Sequence, residues 1–279
     1  MLRTKVGYCV RPARGSDSQI SVAHAGSLGD ADGVHLLTRP DRFPRSSRYD
    51  PDWLLALDMG PHPLWQLEDL LPNLHLSPGD RVLDLGCGRG ATAVFLAREV
   101  DVIVSAFDRW VDESDLHATV DAAGLTHQIS VSVGDVRHLP FGDAKFDAVV
   151  SIDAFEYFGT DVHLLPTLLR VLKPGGRIAI STPALKVDPY LQAPPEQVRA
   201  LVGWEAAAWH APDWWRRHWE LTGLVEGVTA RMQPGSRDDW MLWARATGDG
   251  DGDPLLRMLA SVEPDDIGFA LVSAVKARA

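Results

Sequence analysis

The chain has 279 residues, 46% of them apolar, two cysteines and a formal net charge of −11. No apolar run approaches the ~20 residues of a membrane span, and two cysteines, Cys9 and Cys87, are too few for a disulfide framework. The acid excess disfavours nucleic acid or an anionic bilayer as a partner.

Charge is uneven along the chain. Residues 1–48 hold eight Lys/Arg against four Asp, a net of +4, which leaves about −15 for the rest. Residues 1–47 show little periodicity and many Gly, Ser, Arg and Pro, and read as a poorly ordered arm. They lack the apolar middle segment of a signal peptide, so a reducing cytosol is the expected compartment.

From residue 48 onward the sequence predicts one domain. Asp50 can cap a helix with Pro51 at its first position. A second helix is expected over Pro63–Leu74, where Leu64, Trp65, Leu67, Leu70 and Leu71 recur at helical spacing. These two helices read as a cap over residues 48–78. Val82, Leu83 and Leu85 then make a short strand that ends in three alternating glycines, Gly86, Gly88 and Gly90, ahead of a helix over 91–99. Glycine allows a ligand close to the backbone, and the helix start behind it presents free N–H groups. The turn lacks the Gly-Lys-Ser/Thr of a phosphate loop, and G-x-G-x-G is not the G-x-G-x-x-G of a dinucleotide loop.

A second strand over 102–107 ends in Asp108, which lies 22 residues past Gly86 and suits the two hydroxyls of a ribose. A helix over 113–124 and a strand over 129–133 follow, and then Gly134-Asp135-Val136. Phe146–Ile152 is a continuous apolar run expected of a central parallel strand. It is followed by Asp153-Ala154-Phe155-Glu156-Tyr157, at the strand end where open α/β sheets bind ligands. A helix over 160–172, a Leu172-Lys173-Pro174-Gly175-Gly176 turn and a fifth strand over 177–182 complete a core spanning residues 79–183.

Asp84 two residues before Gly86, the G-x-G-x-G turn, Asp108, Gly134-Asp135 and the Leu-Lys-Pro-Gly-Gly turn occur in an order that resembles class I S-adenosylmethionine (SAM)-dependent methyltransferases. Within that family the chain is similar to the small-molecule and cyclopropane-synthase-like branch. The resemblance covers residues 48–183. It implies a Rossmann-like, doubly wound α/β fold: a seven-stranded, mostly parallel sheet with an antiparallel last strand. It implies SAM as cofactor, held by Asp84, Gly86, Cys87, Gly88, Asp108, Arg109, Asp135, Val136, Ile152 and Asp153. An Asp at position 135 can accept from the exocyclic amine of adenine. Arg48-Tyr49-Asp50 resembles the segment before the glycine turn in this branch, which implies Tyr49 beside the cofactor and Trp65 packed near its methionine end. Glu156, Tyr157 and Tyr49 are the catalytic candidates. Relatives often carry histidine where Glu156 stands, so a histidine base is not expected here.

Residues 184–222 read as a Trp-rich lid insertion, with helices opening at Pro194-Pro195 and Ala211-Pro212. Trp204, Trp209, Trp214, Trp215 and Trp219 lie in it, and Trp215 and Trp219 share a face at i, i+4. The aromatic excess suggests an apolar or aromatic acceptor pocket, or a cage for an amine. Residues 223–279 are expected to add strands over 224–232 and 267–276 and a helix over 239–245 that bears Trp240 and Trp243. Asp249-Gly-Asp251-Gly-Asp253 lacks the Gly and Glu of a calcium loop, and no metal is expected.

The reading is methyl transfer to a small molecule. An NAD-dependent oxidoreductase and a non-catalytic SAM-binding sensor are the alternatives. Oligomeric state is not encoded in any of these features.

Overall fold

The inner strands of the domain are mostly apolar and buried because both faces of the sheet are covered there. The computed structural model describes residues 37–161, 163–248 and 252–278. Its strands are β1 (Arg81–Leu85), β2 (Ile103–Asp108), β3 (Ile129–Val133), β4 (Phe146–Ile152), β5 (Leu172–Leu185), β6 (Val225–Met232) and β7 (Ile267–Lys276). They form one seven-stranded sheet in the order β3-β2-β1-β4-β5-β7-β6. The first five pair in parallel, and β7 lies antiparallel between β5 and β6. This is the sheet expected from the sequence.

The helices are α1 (Pro51–Ala56), α2 (Pro63–Leu74), α3 (Ala91–Val100), α4 (Glu113–Ala122), α5 (Leu164–Val171), α6 (Glu196–Val202), α7 (Pro212–Glu220), α8 (Ser236–Thr247) and α9 (Pro254–Ala260). Successive strand residues face opposite layers. Val82, Val104 and Val150 pack with Leu64 of α2, Phe95 of α3 and Leu116 of α4. Leu83, Val149 and Ile178 pack with Leu168 of α5 and Trp215 of α7. A third cluster joins Val198 of α6, Trp240 of α8 and Leu259 of α9 to Phe269 of β7. β1 and β4 are neighbours whose partners lie on opposite sides, so a crevice opens where their C-terminal ends diverge.

Four expectations change. The arm expected over 1–47 is packed from residue 37 on. Phe43 is fully buried and stacks on Trp65 at 5.3 Å, and both Arg39 and Arg42 pair with Asp239 of α8. The remainder of that expectation, residues 1–36, lies outside the described residues. The lid expected over 184–222 is not one at α7. Trp215 and Trp219 point into the sheet against Phe155, and Trp209 packs on Trp240. Of this group only Trp204 is well exposed. The helix before β5 starts at Leu164 rather than 160, and β5 runs further at both ends. Asp253 accepts from the Leu255 N–H at 2.7 Å and caps α9.

Candidate active site

The alternating glycines follow from a backbone that only glycine adopts without strain. Gly86, Gly88 and Gly90 have φ of +73°, +52° and +94°. The Gly86 and Cys87 N–H groups donate to the Phe107 carbonyl at 2.8 and 3.3 Å, which ties the turn to β2. The Gly88 N–H donates to Asp108 Oδ2 at 2.9 Å, and Asp108 Oδ1 accepts from the Trp110 and Val111 N–H groups at 2.7 and 3.3 Å. Asp108 is therefore held rigidly at the end of β2. Beneath the turn, Asp84 is fully buried and accepts from Thr92 Oγ1 at 2.6 Å. Burial pushes its carboxyl up to about 7, and its Oδ1 has no partner.

Two recesses flank this turn. One, of about 510 Å3, is walled by apolar Leu85, Phe107, Val136 and Phe158, with Asp135 on its lining. The Asp135 carboxylate accepts from the Arg137 N–H at 2.9 Å and pairs with Arg109 at 2.7 Å. The backbone bond first, and then the two arginines, hold it below the usual carboxylate range. The other, of about 690 Å3, is lined by Gly86, Cys87, Gly88, Asp58, Ile152 and Asp153, among others. Gly86, Asp108, Trp110, Ala154 and Tyr157 belong to both. At that junction Trp110 meets Tyr157 edge to face at 4.7 Å. A Cβ added at Gly86 would collide with Ala154 Cβ. An extended ligand with a flat base at one end and an ammonium at the other matches this pair of recesses in shape and charge.

The segment after β4 supplies the acids. Asp153 has φ +51°, and its N–H donates to the Ser181 carbonyl at 2.8 Å. Burial first, then repulsion from Glu156 and Asp58, raises its carboxyl well above the usual range. Glu156 Oε2 accepts from Thr182 Oγ1 at 3.1 Å, and Oε1 has no partner. Burial is the main cause that pushes the Glu156 carboxyl up to about 7.

Most residues expected at the site converge here. Gly86, Cys87, Gly88, Asp108, Arg109, Asp135, Val136, Ile152, Asp153 and Tyr157 line the recesses. Asp84 supports the turn from below, and Glu156 stands behind Asp153.

Two residues do not converge. Tyr49 lies in a separate depression with Arg48, Trp53 and Arg98. Its ring rests on Phe95 and its hydroxyl reaches Glu99 at 3.5 Å. The packed segment before α1 carries it to the far end of α3, away from the turn. Trp65 is sandwiched between Phe43 and His62 in the core, 1% exposed.

Asp58, Met59, Trp110, Trp240 and Trp243 are site residues the sequence reading missed. A Cβ on Gly88 would meet Met59 Sδ at 3.0 Å, so the Asp58–Pro61 turn closes over the glycines. Its Gly60-Pro61 pair marked a turn, and nothing local marked what it covers.

The model of the methyltransferase domain family matches residues 82–176. The 27-O-demethylrifamycin SV methyltransferase of Amycolatopsis mediterranei (strain S699) is 30% identical over 179 residues, which cover 63% of this chain and 64% of that protein. The chain thus matches somewhat less than two thirds of that relative's length. Two solved structures share the fold. The geranyl diphosphate C-methyltransferase of Streptomyces coelicolor A3(2), solved with Mg2+, geranyl diphosphate and S-adenosyl-L-homocysteine, has a TM-score of 0.64 at 19% identity over 90% of this chain and 95% of that one. The Haemonchus contortus phosphoethanolamine N-methyltransferase 2, solved with phosphomonomethylethanolamine and S-adenosylhomocysteine, has a TM-score of 0.65 at 17% identity over 88% of this chain and 61% of that one.

Proposed function

We propose that this chain is a class I SAM-dependent methyltransferase that transfers a methyl group from SAM to a small-molecule acceptor. The observation that carries the reading is the Gly86–Gly90 turn tied to Asp108, with a base-shaped recess on one side and an acid-lined recess on the other. In this reading Val136 and Phe107 pack on adenine and Asp135 accepts from its amine. Asp108 takes the ribose hydroxyls on its remaining lone pairs. Asp153 meets the ammonium, and Gly86 and Gly88 let the backbone approach the ligand.

When bound, SAM would supply an electrophilic methyl carbon on a sulfonium leaving group. This chain's own residues then have to align an acceptor and keep water out, which is catalysis by proximity. Met59, Trp110 and Tyr157 shield the junction. Glu156, fixed by Thr182, is the group able to take a proton from the acceptor near neutral pH. The acceptor is an apolar, aromatic or amine-bearing small molecule. The reducing cytosol remains the compartment of this reading. Among the described residues no helix is long and apolar enough to cross a membrane.

Calorimetric titration with SAM and, separately, with NAD tests the proposal. SAM should bind and NAD should not; binding of NAD alone would overturn it. Asp108→Ala should weaken SAM binding by about 1–3 kcal/mol, since a charged acceptor is lost. An unchanged dissociation constant counts against the assignment.

A further inference from the structure

A third recess, of about 440 Å3, opens beside the acid-lined one. Asp58 and Asp153 line both, and its other walls include Tyr157 and, from α8, Trp240 and Trp243. We propose that this third recess holds the methyl acceptor and that the acceptor is an amine bound as its ammonium. The ammonium gives up a proton to the acids after β4, so that its nitrogen lone pair can take the SAM methyl as the carbon–sulfur bond breaks and S-adenosylhomocysteine leaves. The inference rests on the reading above and narrows its acceptor class to one chemistry.

Charge comes first. Asp58 and Asp153 face the recess, Glu156 stands close enough to Asp153 to repel it, and Glu205 adds a further negative charge near Glu156. Arg89 offsets Asp58 in part, but its guanidinium donates to the Ala56 carbonyl. Asp153, on the lining of the recess, has a buried Oδ1 with no hydrogen-bond partner. A buried acceptor left unmet is costly. Burial disfavours the charged forms of Asp58, Asp153 and Glu156, and an ammonium placed against them supplies the opposite sign that a hydroxyl or a hydrocarbon lacks. Among the described residues no three His, Cys, Asp or Glu groups are arranged to hold a metal ion. An organic cation is therefore the fitting occupant.

The aromatic walls point the same way. Trp240 and Trp243 are each 2% exposed, locked in place by their packing. Trp243 Nε1 donates to Asp58 Oδ1 at 2.8 Å, so one contact fixes both an indole and a carboxylate of the recess. Indole faces attract ammonium groups most strongly when water is excluded. The acids and rings come from different elements, the turns after α1 and β4 and the helix α8. They meet at this recess.

A probe pair that differs in charge and not in shape tests this. The protein is first titrated with S-adenosylhomocysteine. The saturated complex is then titrated calorimetrically with choline and with its uncharged carbon isostere, 3,3-dimethylbutan-1-ol. Choline should bind at least about tenfold more tightly, the margin expected of a desolvated cation–aromatic site. Asp58→Asn should erase most of that margin and leave the affinity of the neutral alcohol unchanged.

Equal affinity of the two probes overturns the inference while leaving the methyltransferase reading intact. Mutual exclusion between choline and S-adenosylhomocysteine also overturns it, because the acids then serve the cofactor's own ammonium. Failure of S-adenosylhomocysteine to bind removes the methyltransferase reading instead. The probe pair is then compared on the free protein, where equal affinities would reject the cation site as well. The wild-type comparison does not depend on any variant folding.

Discussion

Glu156 is a carboxylic acid kept from water with only one of its oxygens satisfied. Its folded value of about 7 lies above the ordinary 4.5, so the folded chain holds the proton more tightly than the unfolded one. The stability this provides is fully present below pH 4.5 and is lost as pH rises through about 7. Glutamine does not titrate. The stability of Glu156→Gln relative to wild type should therefore increase between pH 5 and pH 8, by on the order of 2 kcal/mol. Urea denaturation at each pH measures this, and a difference that ignores pH would mean the side chain is solvated. Gly86 belongs to the same scale. Alanine there is strained at φ +73° and its methyl would collide with Ala154. Gly86→Ala should cost roughly 1–2 kcal/mol in denaturant unfolding, even without ligand. The glycines were legible in the sequence because left-handed backbone selects them by type. Tyr49 and Trp65 were not, because their places depend on Phe43 stacking on Trp65 and on arginine pairs with Asp239, nearly 200 positions away.

Helices and strands record their own periodicity but not the surface they meet. Pro63–Leu74 was readable to the residue, since Pro63 starts the helix and the His62 ring caps it by accepting from the Trp65 N–H at 3.3 Å. In α7 the i, i+4 tryptophans announced one apolar face. They could not say whether that face covers a ligand or the sheet. Contact with β6 and β7 decides it, and Trp219 reaches Phe155 at the base of the acid-bearing segment. Trp219→Ala should therefore act as a core truncation, destabilising by about 3–5 kcal/mol in chemical denaturation. A cost below about 1 kcal/mol would restore the lid reading, because an exposed flap loses little on truncation. The helix α8 was legible only as a short piece around its two tryptophans. Its true role, to bring indoles to Asp58, needs a fold in which the ends of the chain meet.

At the scale of the whole molecule, the binding crevice is assembled from the ends of β1, β2, β3 and β4, on both sides of the point where the strand order reverses. The unfolded chain has no such site, so a ligand that spans the two recesses binds the folded state alone and must stabilise it. At a hundred times its dissociation constant, SAM should add about 2.7 kcal/mol. For a domain of this size each kcal/mol moves the melting point by roughly 2–4 °C. A rise of about 5–10 °C is thus expected in a thermal melt. NAD at the same concentration should leave the melting point where it was, because G-x-G-x-G behind Asp84 does not make the dinucleotide turn. S-adenosylhomocysteine should stabilise as SAM does, since it shares the base, ribose and amino acid that the recesses are proposed to hold. If it stabilised far less, the acids after β4 would be engaging the sulfonium charge rather than the ammonium, and Asp153 would have to be moved from the cofactor's amino acid to its reacting centre.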